Sequence, residues 1–395
     1  MNDLNENNKM SGIYEKPVML LASGYTDGYI LGTDGKTGNP GITALVYEPG
    51  QKELKVIHEN GGSENPSFLD VADGFLLAAC EQVGTCHVES YRLSGCITDA
   101  LNGCITDALT GNGVISLEKT GSLAVPGTAM CHVRFWPGRQ YASVSNYMSG
   151  DLAVIRLDEE CQPAEIACMI HHEGVGFDST GRQEGPHVHS TILSPGGKYL
   201  LAADLGLDEI SIYEIAGTKG IPQQKDLFLQ DHGKIQTPPG MGPRHMAFSP
   251  DGKFLYLVTE LGWKLYTYAW DEAAGAAQFV SEDTLVPEGC PPENLSADIH
   301  LGEGGSLIYA SNRGRNDIVV FRRDPVSGAP SLVGSYPVAG DGPRNFAVSE
   351  EKRLMAVACQ HSGDLLLYAL DEEGLPGDLL ASAKIPEVSW CGFLA

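Results

Sequence analysis

The segment Gly242-Pro243-Arg244-His245-Met246-Ala247-Phe248-Ser249-Pro250-Asp251-Gly252-Lys253-Phe254-Leu255-Tyr256-Leu257-Val258-Thr259-Glu260 reads as strand, turn, strand. A short apolar run meets a Pro-Asp-Gly-Lys turn whose glycine can take positive φ, and a second apolar run follows. A third strand is predicted from Lys264 to Trp270, ending at Asp271. The same grammar recurs at Pro186 to Ile215, around Pro195-Gly196-Gly197-Lys198, and at Ala297 to Phe321, around Gly302 to Gly305. Looser copies lie at Asn65 to Leu93, Thr128 to Leu157 and Gly342 to Leu370. Small antiparallel sheets repeating at about fifty residues predict an all-β chain folded as a β-propeller.

The chain ends specify how the ring closes. Val388-Ser389-Trp390-Cys391-Gly392-Phe393 resembles the first strand of a repeat with no second strand after it, and Pro17 to Tyr25 resembles a second strand with no first. A shared blade reconciles them, with Ile42 to Tyr47 and Leu54 to His58 as its remaining strands. With the six continuous repeats this makes seven blades and leaves few unpaired edges. Residues 1–16 are expected to be a disordered tail and residues 17–395 a single propeller domain, because blades do not stand singly.

Composition narrows the function. The 26 Lys and Arg against 51 acids give a net charge of −25, which argues against a nucleic-acid partner. The longest apolar runs, such as Val18-Met19-Leu20-Leu21-Ala22, are strand-sized and exclude a membrane helix. Met1 to Met10 is polar and carries Asp3 and Glu6, unlike a signal peptide. Ten cysteines show no C-x-x-C pair, and Cys80, Cys168 and Cys359 sit within apolar strands, so a reduced cytoplasmic protein is expected. Two irregularities interrupt the repeats. One is a tandem octapeptide, residues 95–102 and 103–110, read as a surface duplication; the other is a long patternless stretch from His171 to Gly185.

Within a hairpin, the start of the first strand and the end of the second lie side by side. One mouth of the channel should therefore collect Ser67, His132, His187, His189, Arg244, His245, His300, Arg344 and Asn345 from strand starts. Strand ends should add Glu81, Asn146, Asp204, Glu260, Asn312, Arg313, Gln360 and His361. Such a rim suits an anionic ligand and a reaction that develops negative charge on oxygen, although strand-end hydrogen bonding alone would also explain it. Of these, His132, Asn146, Asp204, His300, Asn312, Arg344 and His361 are expected to bind substrate. His187 and His189 could chelate a metal, but no acidic partner stands at ligand spacing, and no cofactor is expected. The serine-hydrolase elbow, the P-loop and the dinucleotide fingerprint are all missing from the sequence.

At this point the residues resemble a known family. Asn65-Pro66-Ser67, Ser145-Asn146-Tyr147, Arg182-Gln183-Glu184-Gly185-Pro186-His187-Val188-His189-Ser190, Asp204-Leu205-Gly206-Leu207-Asp208, Gly242-Pro243-Arg244-His245, Ser311-Asn312-Arg313-Gly314 and Gly342-Pro343-Arg344-Asn345-Phe346 occur in order. Together they look like the seven-bladed lactonase family of propeller-type 6-phosphogluconolactonases and the fungal 3-carboxy-cis,cis-muconate lactonizing enzyme. The resemblance runs from Pro17 to Phe393. It implies that the family's His, two Arg and Glu fall on His187 or His189, Arg244, Glu260 and Arg313. Thr259-Glu260 stands where the family usually shows Asn-Glu, and the octapeptide is outside the pattern. The implied activity is hydrolysis of a sugar lactone, most plausibly 6-phospho-D-glucono-1,5-lactone. The alternatives are a muconate-type cycloisomerase or a non-catalytic propeller that binds an anionic metabolite or a protein. Arg244 is expected at a wet channel mouth, held by Glu260 and presenting its fork to the substrate.

Overall fold

The computed structural model describes residues 17–28, 32, 35–94, 115–178, 181–216, 228–286, 290–302 and 304–394. The N-terminal tail and the tandem octapeptide lie outside these residues. The described strands form seven four-stranded antiparallel sheets, arranged as a seven-bladed propeller. The opening hairpin folds as read: Pro243–Phe248 pairs with Phe254–Thr259, which pairs with Lys264–Asp271. Its turn closes with Gly252 N–H donating to Ser249 C=O at 2.8 Å. Gly252 has a φ of 69°, and a Cβ there would meet the Pro195 ring of the preceding blade at 2.8 Å.

Each of the six continuous blades carries a fourth strand that sequence reading did not assign; only the shared blade has its outermost strand, Glu53–Asn60, expected from sequence. In the quoted blade it is Ala276–Thr284, whose residues are mostly exposed or half-buried. An outermost strand packs on little, so its sequence lacks the apolar run that marks the inner strands. The second strands are the opposite case: Phe254–Thr259, Tyr199–Asp204 and Leu354–Cys359 are buried at every position. Neighbouring blades cover both of their faces, so period-2 alternation sends successive residues into different cores. Leu255 and Leu257 pack with Tyr199 and Leu201 of one neighbour, whereas Phe254, Tyr256 and Val258 pack with Ile308 and Ala310 of the other.

Ring closure is as the chain ends require. Val388–Phe393 is the inner strand of the blade completed by Val18–Gly24, Ile42–Glu48 and Glu53–Asn60. Its register pairs Leu20 with Phe393, Ala22 with Cys391 and Ser23 with Trp390. Val388 and Cys391 are buried with Leu20, Leu45, Ala356 and Leu367, so the closing strand joins the last blade to the first. Removing residues 388–395 will expose the edge of Val18–Gly24 and open the ring. The truncated chain is expected to elute as aggregate in size-exclusion chromatography and to lose its cooperative melt; an unchanged Tm would refute this closure.

Candidate functional site

Two backbone devices, repeated around the ring, aim the site residues. The first is a register shift at the start of every inner strand, which leaves one residue outside the ladder: Ser67, Cys131, His189, Arg244, Arg344 and Ser389, and the pair Ala297-Asp298 in the sixth blade. Such bulges re-aim a side chain. Cys131, His189 and Arg344 line one pocket, of about 250 Å³. The next residues along, His132, Ser190, His245 and Asn345, line a separate cavity of about 580 Å³. The second device, present in every blade but the sixth, pins the first residue after the second strand to the residue that precedes the inner strand. Glu81 N–H donates to Asn65 C=O at 2.9 Å, Tyr147 to Ala129 at 2.8 Å and Glu260 to Gly242 at 2.7 Å. Tyr25, Glu81, Tyr147 and Glu260 all occupy this position, and all line the smaller pocket together with Arg182, Arg313 and Arg344.

At the pocket's base Glu260 is buried among three guanidiniums and one imidazole drawn from four parts of the ring. Its Oε2 accepts Arg244 Nε–H at 2.8 Å, lies 2.9 Å from Arg313 Nη2 and stands 3.8 Å from His189 Nε2. Its Oε1 accepts from Arg182, whose Nη2 also reaches the Tyr147 hydroxyl at 3.3 Å. Burial works to raise the Glu260 pKa, but Arg313, Arg182 and Arg244 outweigh it and hold the carboxyl well below its ordinary value. His189 is displaced downward by burial, then by Arg244 and His245, so its imidazole is neutral at physiological pH. Across the pocket, Tyr25 O–H donates to Glu81 Oε1 at 2.9 Å and Arg344 Nη2 reaches the Tyr25 oxygen at 3.2 Å. Glu81 is shifted upward, because burial exceeds the opposing pull of Arg344 and two hydroxyl donors.

The expected residues separate under this geometry. His189, Glu260, Arg313 and Arg344 come together at the pocket. His187 does not line it: the ring stacks on Tyr147 at 4.6 Å, and its Nδ1 lies 2.9 Å from the Tyr147 carbonyl. Arg244 is not at a wet mouth. It is 2% exposed, with Nε on Glu260 and Nη1 donating to Ala297 C=O at 2.7 Å, so it holds Glu260 from beneath. Asn146 and Asp204 stand at the last position of their strands and Asn312 at the last but one, and in all three the side chain is turned inward. Asn146 Nδ2 donates to Pro126 C=O, Asn312 Nδ2 to Leu285 C=O, and Asp204 Oδ1 accepts His187 N–H. His132 and His300 line the larger cavity, where His300 Nε2 and His245 Nδ1 bracket Asp298 at 2.9 and 2.7 Å. His361, with its side chain 56% exposed, lies near Asp341 away from the pocket.

Sequence reasoning left out Tyr25, Cys131, Tyr147 and Arg182 from the candidate set, and kept Glu81 only as a rim residue. Glu81 stands at the repeat position of Glu260, a signal available from alignment of the repeats. Arg182 comes from the patternless stretch between the third and fourth blades and carries no repeat signal. Among the described residues no three His, Cys, Asp or Glu side chains gather as metal ligands would.

The pocket therefore holds a neutral imidazole and two carboxyl groups in opposite electrostatic settings, with three guanidiniums on its walls and Arg244 behind them. This arrangement can receive an anion, move protons and stabilise an oxyanion. A family model described as Lactonase, 7-bladed beta-propeller, matches residues 20–393. The chain is 31% identical over 347 residues to a 6-phosphogluconolactonase of Formosa agariphila, covering 86% of this chain and 91% of that protein. It is 28% identical over 249 residues to a 6-phosphogluconolactonase of Bacillus subtilis, covering 63% of this chain and 68% of that one. The solved structure of a periplasmic gluconolactonase of Pseudomonas aeruginosa superposes with a TM-score of 0.82 at 28% identity, over 96% of this chain and 99% of the other.

Neutralising Glu260 removes the counter-charge of buried guanidiniums. Glu260→Gln is expected to lower unfolding free energy by about 3–5 kcal/mol, measured by urea denaturation. Because the folded-state pKa of Glu260 is depressed, its contribution is whole above the unfolded carboxyl value of roughly 4.3 and fades as pH falls from there through the folded value. The parent should lose stability over that acid range more steeply than Glu260→Gln does; parallel curves would contradict the assignment.

Proposed function

The chain belongs to the seven-bladed β-propeller lactonase family, and we propose that it hydrolyses 6-phospho-D-glucono-1,5-lactone at the pocket around Glu260. The observation that carries this reading is the charge of that pocket. In a chain of net charge −25, four guanidiniums face only two carboxyl groups, and burial keeps Glu81 above its ordinary carboxyl range. A phosphorylated lactone supplies the missing anion. Arg182, on the loop side with its side chain 40% exposed, and Arg344, on the opposite wall, are positioned to take the phosphate.

His189 acts as the base. Its neutral imidazole takes a proton from water as the oxygen attacks the lactone carbonyl, and Glu260 stabilises the imidazolium so formed. Arg313 lines the pocket, and its Nε–H has no partner among the described residues, so the guanidinium has a donor to spare for the carbonyl oxygen as it becomes an oxyanion. Arg244 is a positioning residue, fixing the Glu260 carboxylate that in turn orients Arg182, Arg313 and His189. The eight cysteines among the described residues are free thiols, which, with a phosphorylated substrate, favours a cytoplasmic setting.

The purified protein is expected to accelerate hydrolysis of 6-phospho-D-glucono-1,5-lactone well above its spontaneous rate, and to act more weakly on the unphosphorylated lactone. Arg344→Ala should lower kcat/KM for the phosphorylated substrate by roughly ten- to hundredfold and leave the other nearly unchanged. With His189 held neutral, the acid limb of kcat/KM should fall below the ordinary imidazole pKa. Failure of the parent to exceed spontaneous hydrolysis on any small lactone would overturn the reading.

A further inference from the structure

Hydrolysis of a lactone, on which this inference rests, has a second proton to place. When the acyl–oxygen bond breaks, the ring oxygen departs as an alkoxide and needs a proton donor. Glu260 cannot supply it. Oε2 faces Arg244 and Arg313, and Oε1 accepts from Arg182, so both oxygens are engaged by guanidiniums and the group is an anion.

Glu81 has the same place in the repeat and the opposite surroundings. Each is the first residue after a second strand, pinned by its backbone N–H to a carbonyl before the inner strand. The side-chain hydrogen bonds of Glu81, from Tyr25 O–H at 2.9 Å and Ser67 O–H at 2.5 Å, both fall on Oε1. Both donors are neutral hydroxyls, and the nearest bonded guanidinium, Arg344, reaches the Tyr25 oxygen and not the carboxyl. Oε2 is the oxygen left to the pocket that Glu81 lines.

We propose that Glu81 is the catalytic acid of this site, donating the proton on Oε2 to the departing ring oxygen. Water adds its oxygen to the carbonyl carbon as His189 takes one of its protons. The carbonyl electron pair moves to oxygen and then returns, and the pair of the broken carbon–oxygen bond leaves on the ring oxygen, which takes the Glu81 proton. His189 releases its proton to solvent and Glu81 regains one, so lactone and water are converted to hydroxy acid with both groups restored. The upward displacement of Glu81 by burial supports the assignment, since two carboxyl groups pushed apart can serve as acid and anion in one site.

Leaving-group dependence tests it. Glu81→Gln keeps the shape of the side chain and an oxygen that accepts from Tyr25 and Ser67. On an aliphatic δ-lactone, whose leaving group is an alkoxide, kcat is expected to fall by roughly 10²- to 10⁴-fold. On 3,4-dihydrocoumarin, whose phenolate leaving group has a conjugate-acid pKa of about 10 and needs little help, the loss should be less than about tenfold. The alkaline limb of the parent's kcat profile on the aliphatic lactone should also vanish in Glu81→Gln. Equal losses on both lactones, no loss on either, or an unmoved alkaline limb would overturn the proposal. A parent inactive on every lactone would instead overturn the functional reading beneath it.

Discussion

A carboxylate buried among guanidiniums is the interaction around which this site is organised. Glu260 would be costly to ionise alone in a dry interior, and so would each guanidinium that meets it; together they offset one another's desolvation. The partners come from separate places: Arg244 shares its blade, His189 and Arg313 belong to the flanking blades, and Arg182 arrives on the connection between the third and fourth. The charge cluster can form only when the ring is assembled. Fold integrity and site geometry are in this sense one requirement.

The propeller meets that requirement through backbone devices and not through special loops. A bulge stands at the head of every inner strand, and in three of them it turns one side chain, Cys131, His189 or Arg344, toward the pocket and the next toward the larger cavity. The hydrogen bond that pins the residue after the second strand places Tyr25, Glu81, Tyr147 and Glu260 on the pocket wall. Because the same two positions recur in six of the seven blades, side-chain choice varies the chemistry around the ring. Glu81 and Glu260 show how far identical backbone positions can diverge: neutral hydroxyls surround one carboxyl and guanidiniums the other.

Charge at two length scales separates the pocket from the rest of the molecule. The chain as a whole is strongly acidic, but screening at physiological salt confines distant surface charge to roughly 8 Å. Inside the pocket the dielectric is lower and the guanidiniums are fixed, so an anion there meets a local positive field despite the net charge of −25. The cavity behind the pocket differs: Asp298 is held ionised there between His245 and His300 and bonded by Asn345.

The sequence alone determined the seven repeats, the apolar second strands, the glycine turns and the closure of Val388–Phe393 onto Val18–Gly24, because each is a local pattern or a partner demanded by one. It also placed His189, Glu260, Arg313 and Arg344 among the candidates. Which of two neighbouring residues faces the pocket was decided only by tertiary structure: His189 and not His187, Tyr147 and not Asn146, Arg313 and not Asn312, with Arg244 buried beneath Glu260. In a strand a shift of one residue reverses the face, and whether a bulge inserts that shift depends on pairing with a strand distant in sequence. Arg182 lay beyond sequence reading for the same kind of reason, since its connection has no periodicity and its place is set by Glu260 and Tyr147, contacts that exist only in the closed ring.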